Sequence, residues 1–150
     1  VILVASDHAG YALKREIVAH LEGAGREVRD LGTHGTASVD YPDFAHELAA
    51  RLAAGEAERG ILICGTGIGM SIAANRHPGV RAALCHDAYT AEMARRHNDA
   101  NVLCLGGRVV GVGVALQIVD VFLEAEFEGG RHGRRVRKME PEGGQRCTTA

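Results

Sequence analysis

The chain is predicted to fold as an α/β three-layer sandwich, a five-stranded parallel sheet flanked by helices on both faces. Three observations carry that expectation. Short continuous apolar runs, such as VILVA at residues 1–5 and ILIC at residues 61–64, read as strands buried on both faces. Between them, apolar residues recur at helical spacing. The two patterns alternate along the chain, as parallel strands joined by right-handed crossovers require.

Val1 to Ala5 is the first strand, broken by Ser6-Asp7-His8-Ala9-Gly10. Leu13, Ile17, Leu21 and Ala24 line one face of a helix that Gly23 and Gly25 end. Glu27 to Leu31 is the second strand, and the loop from Gly32 to Asp40 is polar and glycine-rich. Pro42 suits a helix start; Phe44, Leu48 and Leu52 form its apolar stripe and Gly55 stops it. The third strand is Gly60 to Cys64, with a helix from near Gly69. Val80 to Cys85 is the fourth strand, followed by a helix from Ala88 to His97. Asn101 to Leu105 is the fifth, and Val112 to Phe127 a long amphipathic helix. Residues 1–140 are expected to form one domain, with 141–150 an irregular tail.

Composition excludes several classes. Aromatics are only 4% and Trp is absent, which argues against a base-stacking surface for nucleic acid. The formal net charge of −2 supplies no field toward DNA or anionic membranes. No apolar stretch is long enough to span a bilayer, and no signal peptide is expected ahead of Val1. The cysteines Cys64, Cys85, Cys104 and Cys147 form no CxxC pair, which speaks against a zinc knuckle or a thioredoxin-type centre. A disulfide framework does not suit a core-rich chain of this size, so a reducing cytoplasm is expected. Cys85 and Cys104 read as small apolar core residues.

In open parallel sheets, ligands bind beyond the carboxyl ends of the strands. That rule gathers Asp7, His8, Cys64, the glycine loop, His86-Asp87 and Gly106-Gly107-Arg108 at one edge. Residues 61–76, ILICGTGIGMSIAANR, read as a strand, a tight loop and a helix start. Such a junction offers amide N–H groups and a positive dipole end to an anion. It also leaves the Cys64 thiol where that field favours thiolate, a candidate base or nucleophile; the alternative is a buried apolar cysteine. The loop could instead cradle a nucleotide, with Asp87 ~20 residues beyond Gly67. Against this, the third glycine of G-x-G-x-x-G falls on Met70, and the loop follows the third strand.

Asp7-His8 can bind hydroxyls and shuttle protons, or can be a solvated turn. His97-Asn98-Asp99 reads, from the residues alone, as a helix C-cap. His20, His34, His46, His77 and His132 lack metal-ligand spacing and read as surface or loop residues. In the basic run 129–138, Arg131 and Arg134 or Arg135 share a face if helical. Two guanidiniums there would clamp a phosphate; a solvated basic helix is the alternative.

Five stretches in order, SDHAGYALK, VDYPDFA, ILICGTGIGMSIAANR, RHNDANVLCLGGRVVG and FEGGRHGRRV, resemble the type B ribose-5-phosphate isomerases. These share a superfamily with the galactose-6-phosphate isomerase subunits. The resemblance runs from Val1 to about Val136. It implies a five-stranded Rossmann-like sandwich, a homodimer or dimer of dimers with sites at the subunit interface, and no metal or organic cofactor. It implies interconversion of ribose 5-phosphate and ribulose 5-phosphate after ring opening, in the pentose phosphate pathway; a hexose 6-phosphate such as allose 6-phosphate is the chemical alternative. By position, Cys64 matches the base that moves a proton between C2 and C1. Thr66, with the amides of Gly65, Gly67, Ile68 and Gly69, matches the group that holds the enediolate. His97 matches the ring-opening acid/base, with Asn98 beside it. Asp7 and Tyr41 match sugar contacts, and His8, Arg108, Arg131 and Arg135 the phosphate set. Some members place Glu where this chain has Met70 and lack the cysteine; Cys64 indicates the cysteine type.

Overall fold

The structure, a computed structural model, describes residues 1–141. Apart from Pro141, the expected irregular tail lies outside the described residues, as does Cys147. The strands are β1 (Ile2–Ser6), β2 (Val28–Asp30), β3 (Arg59–Cys64), β4 (Ala82–Leu84) and β5 (Val102–Gly106). They form one parallel sheet in the order β2-β1-β3-β5-β4. The helices are α1 (Tyr11–Gly23), α2 (Tyr41–Ala53), α3 (Ile68–Ala74), α4 (Ala88–Asn98), α5 (Val112–Glu124) and α6 (Arg131–Arg137).

Strand side chains alternate between two apolar layers. Ile61, Ile63, Leu103 and Leu105 pack with Leu13, Ile17, Ala91, Ile118 and Phe122, from α1, α4 and α5. Leu62, Cys64, Val102 and Cys104 pack with Leu48, Leu52, Met70 and Ala74, from α2 and α3. This double burial is why the strands read as unbroken apolar runs. Each fully buried Leu or Ile contributes about 1.5–3 kcal/mol relative to exposure. From β1 the chain steps outward to β2, then crosses to β3 on β1's other side. The carboxyl ends of β1 and β3 therefore flank the point where strand order reverses, which opens a crevice there.

Three elements differ from expectation. β4 covers Ala82–Leu84 rather than residues 80–85. At its start, the Asn101 side-chain oxygen accepts from Arg81 N–H. The Asn75 amide both accepts from Ala82 N–H at 2.8 Å and donates to Ala82 C=O at 2.9 Å, standing in for a neighbouring strand. α5 stops at Glu124, because Ala125 is extended and the chain turns toward α4. There Glu128 N–H donates to Arg96 C=O at 3.0 Å. The basic run, helical only conditionally in the sequence reading, forms α6, and its His132 is buried rather than on the surface.

Candidate active site

At the carboxyl edge, β3 delivers Cys64 with only 4% of its surface exposed, at the rim of the α2/α3 apolar layer. The sulfur is not an isolated core atom: Gly67 N–H donates to Cys64 Sγ at 3.1 Å. That contact depends on the loop's left-handed turn, with Gly67 at φ 80°. A Cβ at Gly67 would lie 2.6 Å from Leu84 Cδ1 and 2.9 Å from the Leu105 carbonyl carbon. Only glycine fits both the conformation and the space. Thr66 is exposed, and its Oγ1 accepts from Ile68 N–H at 3.2 Å. The Gly67 and Ile68 amides are thus engaged within the loop. Among the described residues, the Gly65, Thr66 and Gly69 amides donate to no protein acceptor.

The other carboxyl-edge groups surround this loop. Tyr41, at the start of α2, lays its ring over Gly69, where a Cβ would sit 2.5 Å from the ring. Arg108, following β5, rests its guanidinium against Gly65, and its backbone N–H donates to Gly65 C=O at 3.0 Å. Asp7 is buried, and its Oδ1 accepts from Gly10 N–H at 3.0 Å. One carboxylate oxygen therefore serves a turn, but a buried one rather than a solvated one. His8 is half-buried, and its Nδ1 accepts from Val39 N–H, fixing the ring against the 32–40 loop. That loop is tied down by Lys14, fully buried, which donates to Asp30 Oδ1 and to Thr33 C=O. Lys14 lies inside SDHAGYALK, but the helical pattern alone does not disclose its inward turn. Asp87 is the N-cap of α4, accepting from Thr90 N–H and Oγ1, bonds that hold its carboxyl below the ordinary value.

The remaining predicted residues lie elsewhere. His97 and Asn98 end α4, just before β5 begins at the amino edge of the sheet. Cys64 pairs with Gly106 and Gly60 with Val102, so roughly 13 Å of strand separates the two edges. Arg131 and Arg135, both exposed on α6, are carried to this far side because α6 docks on α4. There the His97 and His132 rings stack, with centroids 4.3 Å apart and planes 8° from parallel. Glu128 Oε2 lies 4.0 Å from His97 Nε2 and 3.7 Å from His132 Nε2. Burial lowers the His132 imidazole below its ordinary value, and the neighbouring His97 and Arg131 push the same way. The structure thus brings Asp7, His8, Tyr41, Cys64, the loop and Arg108 together, and within one protomer sets His97, Asn98, Arg131 and Arg135 apart from them. Glu128 and His132 were not foreseen. Glu128 stands in FEGGRHGRRV four residues before His132, a helical spacing that could have flagged it.

A profile of the Ribose/Galactose Isomerase family matches residues 2–139. The chain belongs to that family. Among its relatives, ribose-5-phosphate isomerase B of Escherichia coli (strain K12) is 54% identical over 130 residues, 87% of each chain. The solved ribose-5-phosphate isomerase B of Clostridium thermocellum is 59% identical, with TM-score 0.91, over 92% of this chain and 93% of that one. The Mycoplasma genitalium ribose-5-phosphate isomerase B, solved with bound ribulose-5-phosphate, is 48% identical, with TM-score 0.88 and 92% of each chain covered. These solved relatives share the five-stranded parallel architecture seen here.

Proposed function

We propose that the chain is a cofactor-independent aldose–ketose isomerase that interconverts ribose 5-phosphate and ribulose 5-phosphate through an enediolate. The observation that carries the chemistry is the Cys64 sulfur, aimed at by the Gly67 amide and bordered by unpartnered loop amides. Its close relatives bear the same name for their activity. After ring opening, Cys64 as thiolate takes the proton from C2 of the aldose and returns it to C1. Negative charge moves onto oxygen as the proton leaves. Thr66 and the Gly65 and Gly69 amides stand where that charge develops, and Gly67 and Ile68 hold the loop in shape. Preorganised donors of this kind are typically worth about 3–4 kcal/mol each. The nucleotide-binding alternative is weakened, since Asp87 Oδ1 caps α4.

The same reading makes the working unit a homodimer with sites at the subunit interface. The opposite-edge placement of His97, Asn98, Arg131 and Arg135 supports this, because one copy's amino-edge group can complete the carboxyl-edge crevice of another. Exposed Ile68 and Ile72 on α3, with Val109, Val112 and Val114 beside the crevice, supply apolar surface for a second copy. Arg131 and Arg135 then clamp the phosphate with His8 and Arg108, and His97 opens the ring beside Asn98. Asp7 and Tyr41 contact the sugar. The free thiols of Cys64, Cys85 and Cys104 suit a cytoplasmic setting. No helix among the described residues is long and apolar enough to cross a membrane.

Incubation with ribose 5-phosphate in D2O tests the reading: deuterium enters at C1 of the ribulose 5-phosphate formed, and Cys64→Ala abolishes the exchange. Isomerisation undiminished in Cys64→Ala would remove Cys64 from the role of base. Parallel assays with allose 6-phosphate decide between pentose and hexose.

A further inference from the structure

We propose that Glu128 is a positioning residue for the ring-opening step, holding His97 in the tautomer whose Nε2 carries the proton. The inference rests on the isomerase reading above and adds to it a residue outside the set that reading uses. Glu128 is held at its backbone and at one carboxylate oxygen. Its backbone N–H donates to Arg96 C=O at 3.0 Å, beside His97 in the last turn of α4. Its Oε1 lies 3.6 Å from Arg96 Nη1, and Arg96 is itself steadied by Glu92 at 2.8 Å. Its Oε2 is left facing Nε2 of both His97 and His132.

The stacking of the two rings decides what this trio does. Parallel imidazoles direct their in-plane nitrogen lone pairs side by side rather than toward one point. They therefore suit a shared carboxylate better than a common metal ion, which binds imidazole nitrogen along its lone pair. His132 is buried and flanked by Arg131, both of which lower its imidazole pKa, while Glu128 pulls the other way. A carboxylate facing Nε2 fixes the proton there and leaves the Nδ1 lone pair for the sugar. Nδ1 can then accept the proton of the C1 hydroxyl as the ring opens and pass a proton to the ring oxygen. The 4.0 Å separation is longer than a hydrogen bond, and such contacts commonly tighten when substrate is bound.

Ribulose 5-phosphate provides the test, because its O5 is phosphorylated and cannot close a furanose ring at C2. Exchange of its C1 hydrogen in D2O needs Cys64 and the loop but no ring opening. Glu128→Gln, which keeps shape and removes charge, is expected to lower kcat for ribose 5-phosphate about ten- to hundredfold with little change in KM. Exchange into ribulose 5-phosphate by the same variant is expected to stay within about twofold of wild type. Glu128→Asp should recover part of the loss. An equal fall in both reactions, or an unchanged kcat, overturns the role. Failure of the wild-type protein to exchange ribulose 5-phosphate would instead overturn the isomerase reading itself. Nitrogen-labelled imidazole NMR of the wild-type chain reads the tautomer independently of any variant's folding. A His97 neutral form protonated at Nε2 is expected, and one protonated at Nδ1 refutes the proposal.

Discussion

The two edges of the sheet are built from different materials. At the carboxyl edge the working atoms are backbone amides and one buried sulfur, held by close glycine contacts around Gly67 and Gly69. At the amino edge they are the tips of long, solvent-facing side chains, Arg131 and Arg135, around the stacked His97 and His132. The first arrangement costs no reorganisation when charge appears on a substrate oxygen, which is what a short-lived enediolate needs. The second offers full charges at the ends of flexible stems, which suits a phosphate that stays charged throughout the reaction. On the proposed reading, proton abstraction and its charge stabilisation thus fall to one end of a protomer, and ring opening with two of the phosphate's arginines to the other.

The sharpest way to break this division is to disable each edge separately. Cys64→Ala and His97→Asn homomers should each lose about a thousandfold or more and a hundredfold or more, respectively, of turnover on ribose 5-phosphate. Mixing the two after reversible dissociation should recover activity to about a quarter of wild type, since a two-fold pair of unlike copies rebuilds one intact site. No recovery would mean that each copy works alone. Next in size, Arg131→Ala or Arg135→Ala should raise KM for ribose 5-phosphate about ten- to hundredfold, the loss of a charged hydrogen bond of about 1.5–3 kcal/mol. Turnover of unphosphorylated ribose should be unaffected, and equal damage to both substrates would contradict the clamp.

At the carboxyl edge, Gly67→Ala meets both an unfavourable φ and the Leu84 and Leu105 contacts. A loss of about 2–3 kcal/mol in urea unfolding is expected, together with reduced turnover. The smallest effect concerns Cys104, whose thiol burial pushes far above its ordinary value of 9.0. The folded state keeps that proton while the unfolded chain releases it, so stability is full below pH 9 and declines as pH rises beyond it. Cys104→Ala should flatten this alkaline decline, measured as unfolding midpoint against pH; an unchanged slope would exclude Cys104 as its source.

Strands, helices and the carboxyl-edge cluster were legible in the sequence because double burial leaves unbroken apolar runs, and because crossover handedness fixes which ends meet. Boundaries slipped where side chains replace backbone partners, as Asn75 and Asn101 do around β4. Leu123 and Phe127 extend a helical pattern past Glu124, so the end of α5 was misplaced; the bond from Glu128 to α4 that turns the chain has no local signature. Among arginines His132 has the look of a surface residue, since nothing local reveals that α6 presses it against His97. The individual site residues could be marked by motif, but the distance between their two groups is a property of topology. It emerges only when His97 is followed to the amino end of β5.

The Asn75 amide on β4 bears on how copies can assemble. By occupying both polar groups of Ala82, it blunts one lateral border of the sheet against a foreign strand. Head-to-tail stacking into fibrils through continuous strand pairing needs two open borders, and blunting one is enough to stop propagation. A symmetric contact through helix faces and loops instead ends in a finite particle rather than a growing filament.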